Sequence, residues 1–125
     1  MNLLLDTQIL LWSMSGDRKL NASARSLIAN AAQTFVSSAT IWEIAIKWKL
    51  GKIEFSPEIV AETLDAAGLE ELHVTNRHAV ATASLPLLHR DPFDRLLVAQ
   101  AMVEGMRFLT ADAHLAAYSP LVITI

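Results

Sequence analysis

What constrains the fold most is a rhythm: short runs of branched, leucine-rich or aromatic residues alternate with longer stretches of helical periodicity. Leu3, Leu4 and Leu5 lead into Asp6 and Thr7, then Ile9, Leu10 and Trp12 follow at helical spacing, which reads as strand, turn and helix. Asn21 or Ser23 caps a second helix to about Ala32, and residues 34–37 (TFVS) suit a second strand. Thr40 opens a helix through IWEIAIKWKLGK, with Ile41, Ile44, Ala45 and Trp48 at helical spacing and Gly51 as its stop. Ser56, Pro57 and Glu58 start another that runs to Gly68. Residues 71–74 (ELHV) predict a third strand and 75–84 a helix stopped by Leu85-Pro86. A further helix runs from Asp91 to near Gly105. Strands at 107–110 and 121–124 flank a short helix over 112–118. This alternation predicts an α/β chain, with a central parallel sheet covered by helices on both faces.

Length and composition narrow the chemistry. The 125 residues are the size of one domain, 1–125, able to bury a core without disulfides or a structural metal. The absence of cysteine excludes a disulfide framework, a cysteine nucleophile, a zinc–thiolate site and an iron–sulfur cluster. The N-terminus MNLLLDTQILLW is apolar, but it lacks a basic flank and Asp6 interrupts it. The expectation is therefore a cytoplasmic protein with no membrane partner. A 53% hydrophobic share and a mean hydropathy of +0.36 are high for so small a soluble chain and point to a surface buried by a partner. The net charge of −3 argues against nucleic acid. Setting aside Asp6, Glu43, Asp91, Asp94 and Asp112 as one cation-neutralised pocket, however, leaves 8 acids against 10 bases.

Those five acids fall where a parallel α/β sheet binds ligands, at the carboxyl ends of its strands. Asp6 follows the first strand, Asp112 follows the fourth by two residues, Glu43 lies in the first turn of the helix after the second strand, and Asp91 and Asp94 begin another helix. Each has a local explanation. Asp6 and Asp112 can cap helices; Glu43 can form a capping box with Thr40 or an i,i+4 pair with Lys47; Asp91-Pro92-Phe93-Asp94 is a good helix start with an acid for the dipole. None of these predicts that all five share one end of the sheet. Gathered carboxylates repel unless a cation compensates them, and hard oxygen ligands suit Mg²⁺ or Mn²⁺. Such ions acidify water and stabilise phosphoryl groups under attack, so the implied chemistry is phosphodiester hydrolysis. No Gly-rich phosphate loop, HExxH or GxSxG motif is present.

LLLDTQILLW, SSATIWEIAIKWKLGK, RDPFDRLLVAQA and LTAD, in that order, resemble the PIN-domain ribonucleases, specifically the VapC-like toxins of bacterial type II toxin–antitoxin systems. The resemblance spans nearly the whole chain. It implies a PIN-like three-layer α/β/α sandwich and Mg²⁺- or Mn²⁺-dependent endonucleolytic cleavage of RNA. By position it makes Asp6, Glu43, Asp94 and Asp112 the metal-holding catalytic acids, with Thr7 and Thr110 as hydroxyls that hold a ligand carboxylate or water. Asp91 is a supporting acid or only the cap; we expect principally the cap. The resemblance also implies a homodimer and a cognate antitoxin that places a basic side chain in the acidic site. Lys47, Arg90 and Arg95, with Lys49 and Lys52, flank the motifs and can hold RNA phosphates or form a solvated face. Trp42 and Trp48 belong in the core or a dimer seam before they belong on RNA bases, and His89 and His114 read as exposed loop histidines.

Two alternatives stay open. A non-cleaving PIN-like module would bind RNA or protein without hydrolysis, although it would have no need of four acids. A phosphoacceptor receiver domain matches the size and the β/α alternation. It would want a paired acid after the first strand and a lysine near the last, and neither is present.

Overall fold

A computed structural model describes residues 1–125. Five parallel strands, β1 (Leu3–Leu5), β2 (Thr34–Ser37), β3 (Leu69–Leu72), β4 (Arg107–Thr110) and β5 (Val122–Thr124), form one sheet in the order β3-β2-β1-β4-β5. The helices are α1 (Thr7–Ser15), α2 (Ala22–Asn30), α3 (Ser38–Lys49), α4 (Pro57–Ala66), α5 (Asn76–Ala81) and α6 (Pro92–Glu104). Short 3₁₀ turns occupy Thr82–Ser84 and Ala113–Tyr118. This is the expected α/β/α architecture. It is not the receiver arrangement, whose strands run 2-1-3-4-5.

The leucine run shows how the sequence builds the layers. Successive strand side chains point to opposite faces. Leu3 and Leu5 accordingly join one core with Ile9, Leu10, Ala24, Ile44, Val60 and Leu64 from α1 to α4. Leu4 joins the other with Leu97, Val98, Ala101 and Phe108 under α6. β4 divides likewise, with Leu109 in the first core and Phe108 in the second. Parallel strands buried on both faces explain the high hydropathy without a partner surface for every apolar residue. No helix is long and apolar enough to cross a membrane.

Three boundaries depart from expectation. β3 begins at Leu69, directly after Gly68 at φ +75°, two residues earlier than the apolar pattern suggested. Its exposed Glu70 and Glu71 belong to an edge strand, which needs no continuous apolar run. α2 stops at Asn30. α3 opens at Ser38 because Ser37, the last residue of β2, accepts a hydrogen bond from the Ala39 N–H (3.0 Å) and caps it first. Thr40 is therefore inside the helix, no capping box joins it to Glu43, and Glu43 lies in the second turn rather than the first.

Candidate metal and active site

The chain turns back on itself between β1 and β4, neighbours from which it proceeds toward opposite edges of the sheet. That crevice, beyond the carboxyl ends of the strands, is the topological switch point. Asp6 and Asp112 stand on its two sides. Asp6 is still held on the ladder, its N–H donating to the Leu109 carbonyl (2.9 Å), and its buried carboxylate has two partners. Oδ1 accepts from the Thr7 N–H at the start of α1 (2.7 Å) and Oδ2 from the Thr110 hydroxyl (2.6 Å). The Thr110 oxygen in turn accepts the Asp112 N–H (3.0 Å), so one hydroxyl fixes both acids. Asp112 also caps the following 3₁₀ helix through the His114 N–H (3.0 Å).

Glu43 reaches the crevice from α3, 5% exposed. Its Oε1 accepts the Thr7 hydroxyl (2.6 Å), while Oε2 pairs with Lys47 one turn on (2.7 Å). The Thr7 and Thr40 hydroxyls lie 3.3 Å apart, which explains why a threonine inside α3 faces the site. The expected i,i+4 pair is present, and it holds the acid from one side only. This hydrogen bond raises the Lys47 pKa, and the nearby charges of Asp91 and Asp94 add to the effect.

α6 supplies the remaining acids. Asp91 Oδ1 accepts both the Phe93 N–H (2.8 Å) and the Asp94 N–H (3.3 Å), with Pro92 at the first helical position: Asp91 is the cap. Asp94, in the first turn, receives no backbone donor. Burial first, then the charges of Asp6, Asp91 and Glu43, push its pKa up to about 7. Burial also raises Asp6, with Glu43 and Asp112 adding to it against the two hydrogen bonds that oppose the rise. The acids expected from four separate segments thus sense one another across a single crevice.

His89 is the residue the sequence undervalued. Its Nε2 lies 3.0 Å from Asp112 Oδ2 and 3.6 Å from Asp94 Oδ2, and its Nδ1 accepts the Asp91 N–H (3.2 Å). The only sequence signal was its place two residues before the cap. His114, by contrast, is exposed and reaches Asp112 only at 3.7 Å. Arg95 spends its guanidinium on the loop before α6: it donates to the carbonyls of Thr82, Leu85 and Pro86 and to the Tyr118 hydroxyl. Arg90 has no ion-pair partner. Trp42 is 61% exposed rather than in the core, and it meets Phe93 edge-on at 5.2 Å, so this aromatic pair adjoins Glu43 and Asp94. Trp48 is 47% exposed. A cavity of about 390 Å³ at the amino ends of β1 and β4, beside Asn2 and Arg107, holds none of the acids.

A donor set of carboxylate and hydroxyl oxygens without thiolate suits a hard divalent cation. Burial, with the neighbouring acids adding to it, raises Asp94 and Asp6, and a cation beside them would oppose the rise. Of the residues around the crevice, Asp94, Asp112 and His89 have ligand atoms within 4.8 Å of one another, with Asp6 and Glu43 beside them.

Comparison with known proteins agrees with this architecture. A chain of the Rickettsia felis VapBC2 complex bound to promoter DNA superposes with a TM-score of 0.71 at 18% identity, covering 100% of this chain and 98% of that one. A Klebsiella pneumoniae toxin–antitoxin complex gives 0.70 at 21%, covering 98% and 96%, and DNA-bound VapBC from Salmonella typhimurium 0.68 at 17%, covering 100% and 97%. No curated protein matches by sequence. The family model of the PIN domain matches residues 3–119, and the chain belongs to the PIN-domain family.

Proposed function

We propose that this PIN domain is a metal-dependent endoribonuclease, the toxin of a toxin–antitoxin pair, hydrolysing RNA phosphodiester bonds. The observation that carries the reading is the gathering of Asp6, Glu43, Asp94 and Asp112 at the switch-point crevice, where Asp94 is raised to about 7 by burial and by the charges of Asp6, Asp91 and Glu43. A purely structural helix start has no use for such an arrangement. The antitoxin partner follows from likeness to toxin–antitoxin complexes, and the RNA substrate from the family resemblance.

In this reading Asp6, Glu43, Asp94 and Asp112 would hold Mg²⁺ or Mn²⁺, which would supply an acidified water and charge neutralisation for the phosphoryl group under attack. The protein's own work is orientation. The Thr110 hydroxyl fixes Asp6 and the Asp112 backbone, and Thr7 and Lys47 fix the two oxygens of Glu43. Asp91 supports the site by starting α6 where Asp94 faces the crevice. Lys47 and Arg90 offer charge for RNA phosphates, and Trp42 with Phe93 offers an aromatic rim for a base. Exposed Val80, Leu87 and Leu88 offer an apolar surface for a second copy or the antitoxin.

The test is cleavage of a structured-RNA pool by wild type and Asp94→Asn with Mg²⁺, with Mn²⁺ and with chelator. Cutting that stops with chelator and in the variant supports the assignment. Cutting that persists in Asp94→Asn removes Asp94 from the site, and cutting that persists in chelator removes the metal.

A further inference from the structure

His89 is the one side chain in the crevice that carboxylate chemistry does not require. Its Nε2 and one oxygen each of Asp94 and Asp112 lie within 4.8 Å of one another, a spacing that would also serve a histidine–carboxylate metal triad. Which role the ring takes depends on where its proton sits. Nδ1 accepts the backbone N–H of Asp91, a donor with no other partner. A ring nitrogen that accepts has committed its lone pair, which leaves Nε2 to carry the ring proton. A flipped ring would leave that N–H unpaired at the entrance to α6. Nε2–H therefore points at Asp112 Oδ2 as a donor, and a protonated nitrogen offers a cation no lone pair.

The loop carrying the ring is anchored. Arg95 gathers the carbonyls of Thr82, Leu85 and Pro86 just before it, and the Asp91 cap lies just after it. The anchor sets the Nδ1 bond, and the Nδ1 bond sets the donor. Resting on the metal-dependent reading above, we infer that His89 is a positioning residue: its Nε2–H holds Asp112 beside Asp94 in the metal-free protein and gives it up to the cation, competing with the ion instead of ligating it.

The two roles predict opposite signs. Removing a ligand weakens binding, whereas removing a competitor strengthens it. Mn²⁺ affinity would be measured by calorimetry at one pH and without RNA, for wild type, His89→Ala, His89→Asn and Asp94→Asn. A hydrogen bond to a charged group is lost on cation entry only in wild type, so His89→Ala should bind roughly tenfold tighter. His89→Asn, which keeps a donor, should fall between. Weaker or unchanged binding in His89→Ala overturns the inference and leaves the metal reading standing. No Mn²⁺ binding by wild type or His89→Ala overturns the metal reading itself, and this inference with it. Nitrogen-15 spectra of the wild-type ring give a check independent of any variant. The expected result is a protonated Nε2 in the free protein with no Mg²⁺-induced signature of ring coordination; a protonated Nδ1, or coordination by the ring, would refute the competing role.

Discussion

Replacing Asp94 by asparagine should stabilise the metal-free protein above neutral pH, against the ordinary expectation for an acid in the first turn of a helix. An exposed aspartate titrates near 3.8, whereas this one is held near 7. The folded-state pKa lies above the unfolded one, so between the two values the folded chain keeps a proton that the unfolded chain has released. Stability is full below the lower value and falls as pH rises through the upper. At about 1.4 kcal/mol per pKa unit the whole interval is worth roughly 4 kcal/mol. The side chain keeps 18% of its exposure, and solvent screening reduces this to ~2 kcal/mol. Urea unfolding in chelator reads the effect. Asp94→Asn should exceed wild type at about pH 8 and approach it near pH 4, where the wild-type carboxyl is protonated in the fold. Excess Mg²⁺ should then stabilise wild type and not the variant. Were Asp94 simply serving the dipole of α6, the variant would be the less stable at about pH 8 by a few tenths of a kcal/mol to 1 kcal/mol. That sign would refute the reading of the crevice as an uncompensated carboxylate cluster.

Thr110→Val removes the donor to Asp6 and the acceptor of the Asp112 N–H at little change in shape, so it should cost ~2 kcal/mol in thermal unfolding and weaken cation affinity at least tenfold. An unchanged melt and affinity would remove the threonine from the site. Arg95→Ala frees three loop carbonyls and should destabilise by ~2 kcal/mol, without rescue by Arg95→Lys, which lacks the planar fork. A shallower salt dependence of RNA binding with normal stability would instead make Arg95 a phosphate contact. Trp42→Ala loses only an edge contact with Phe93, so stability should change by ~1 kcal/mol or less while RNA affinity falls about tenfold. Intact RNA affinity with weakened antitoxin binding would move Trp42 to the partner surface.

The layers were legible because each strand carries its own burial code. Leu3, Leu4 and Leu5 are apolar in succession, which only a strand covered on both faces requires, and the two cores divide them as the period of two dictates. Asp91 with Pro92 marked the start of α6, and Gly105, at φ +68° in the structure, its approximate end. β3 departs from the pattern for a complementary reason: an edge strand with exposed glutamates has no apolar signature, and the nearest apolar residues point two positions too late. The start of α3 was misjudged because Ser37, Ser38 and Thr40 are all competent caps, and the choice among them falls to where β2 stops pairing.

The gathering of acids at one end of the sheet was legible as a set of positions, and the local explanations offered for those positions hold except for the Thr40–Glu43 capping box. Asp6, Asp91 and Asp112 each cap the helix that follows. In a parallel sheet with helices after its strands, the caps are gathered at one edge by topology alone, so capping and clustering are not competing hypotheses. What separates Asp91 from Asp94 is whether the helix they start satisfies the charge. Asp91 takes two backbone N–H groups on one oxygen and is accounted for by its helix. Asp94, three residues on, takes none and is left facing Asp6 and Glu43 with its proton held to about 7. That difference depends on the path of residues 85–90, which aims the His89 ring at Asp112, and no pattern in HRDPFD encodes the path. Periodicity can place acids at an edge; only tertiary hydrogen bonding decides which of them remain in need of a cation.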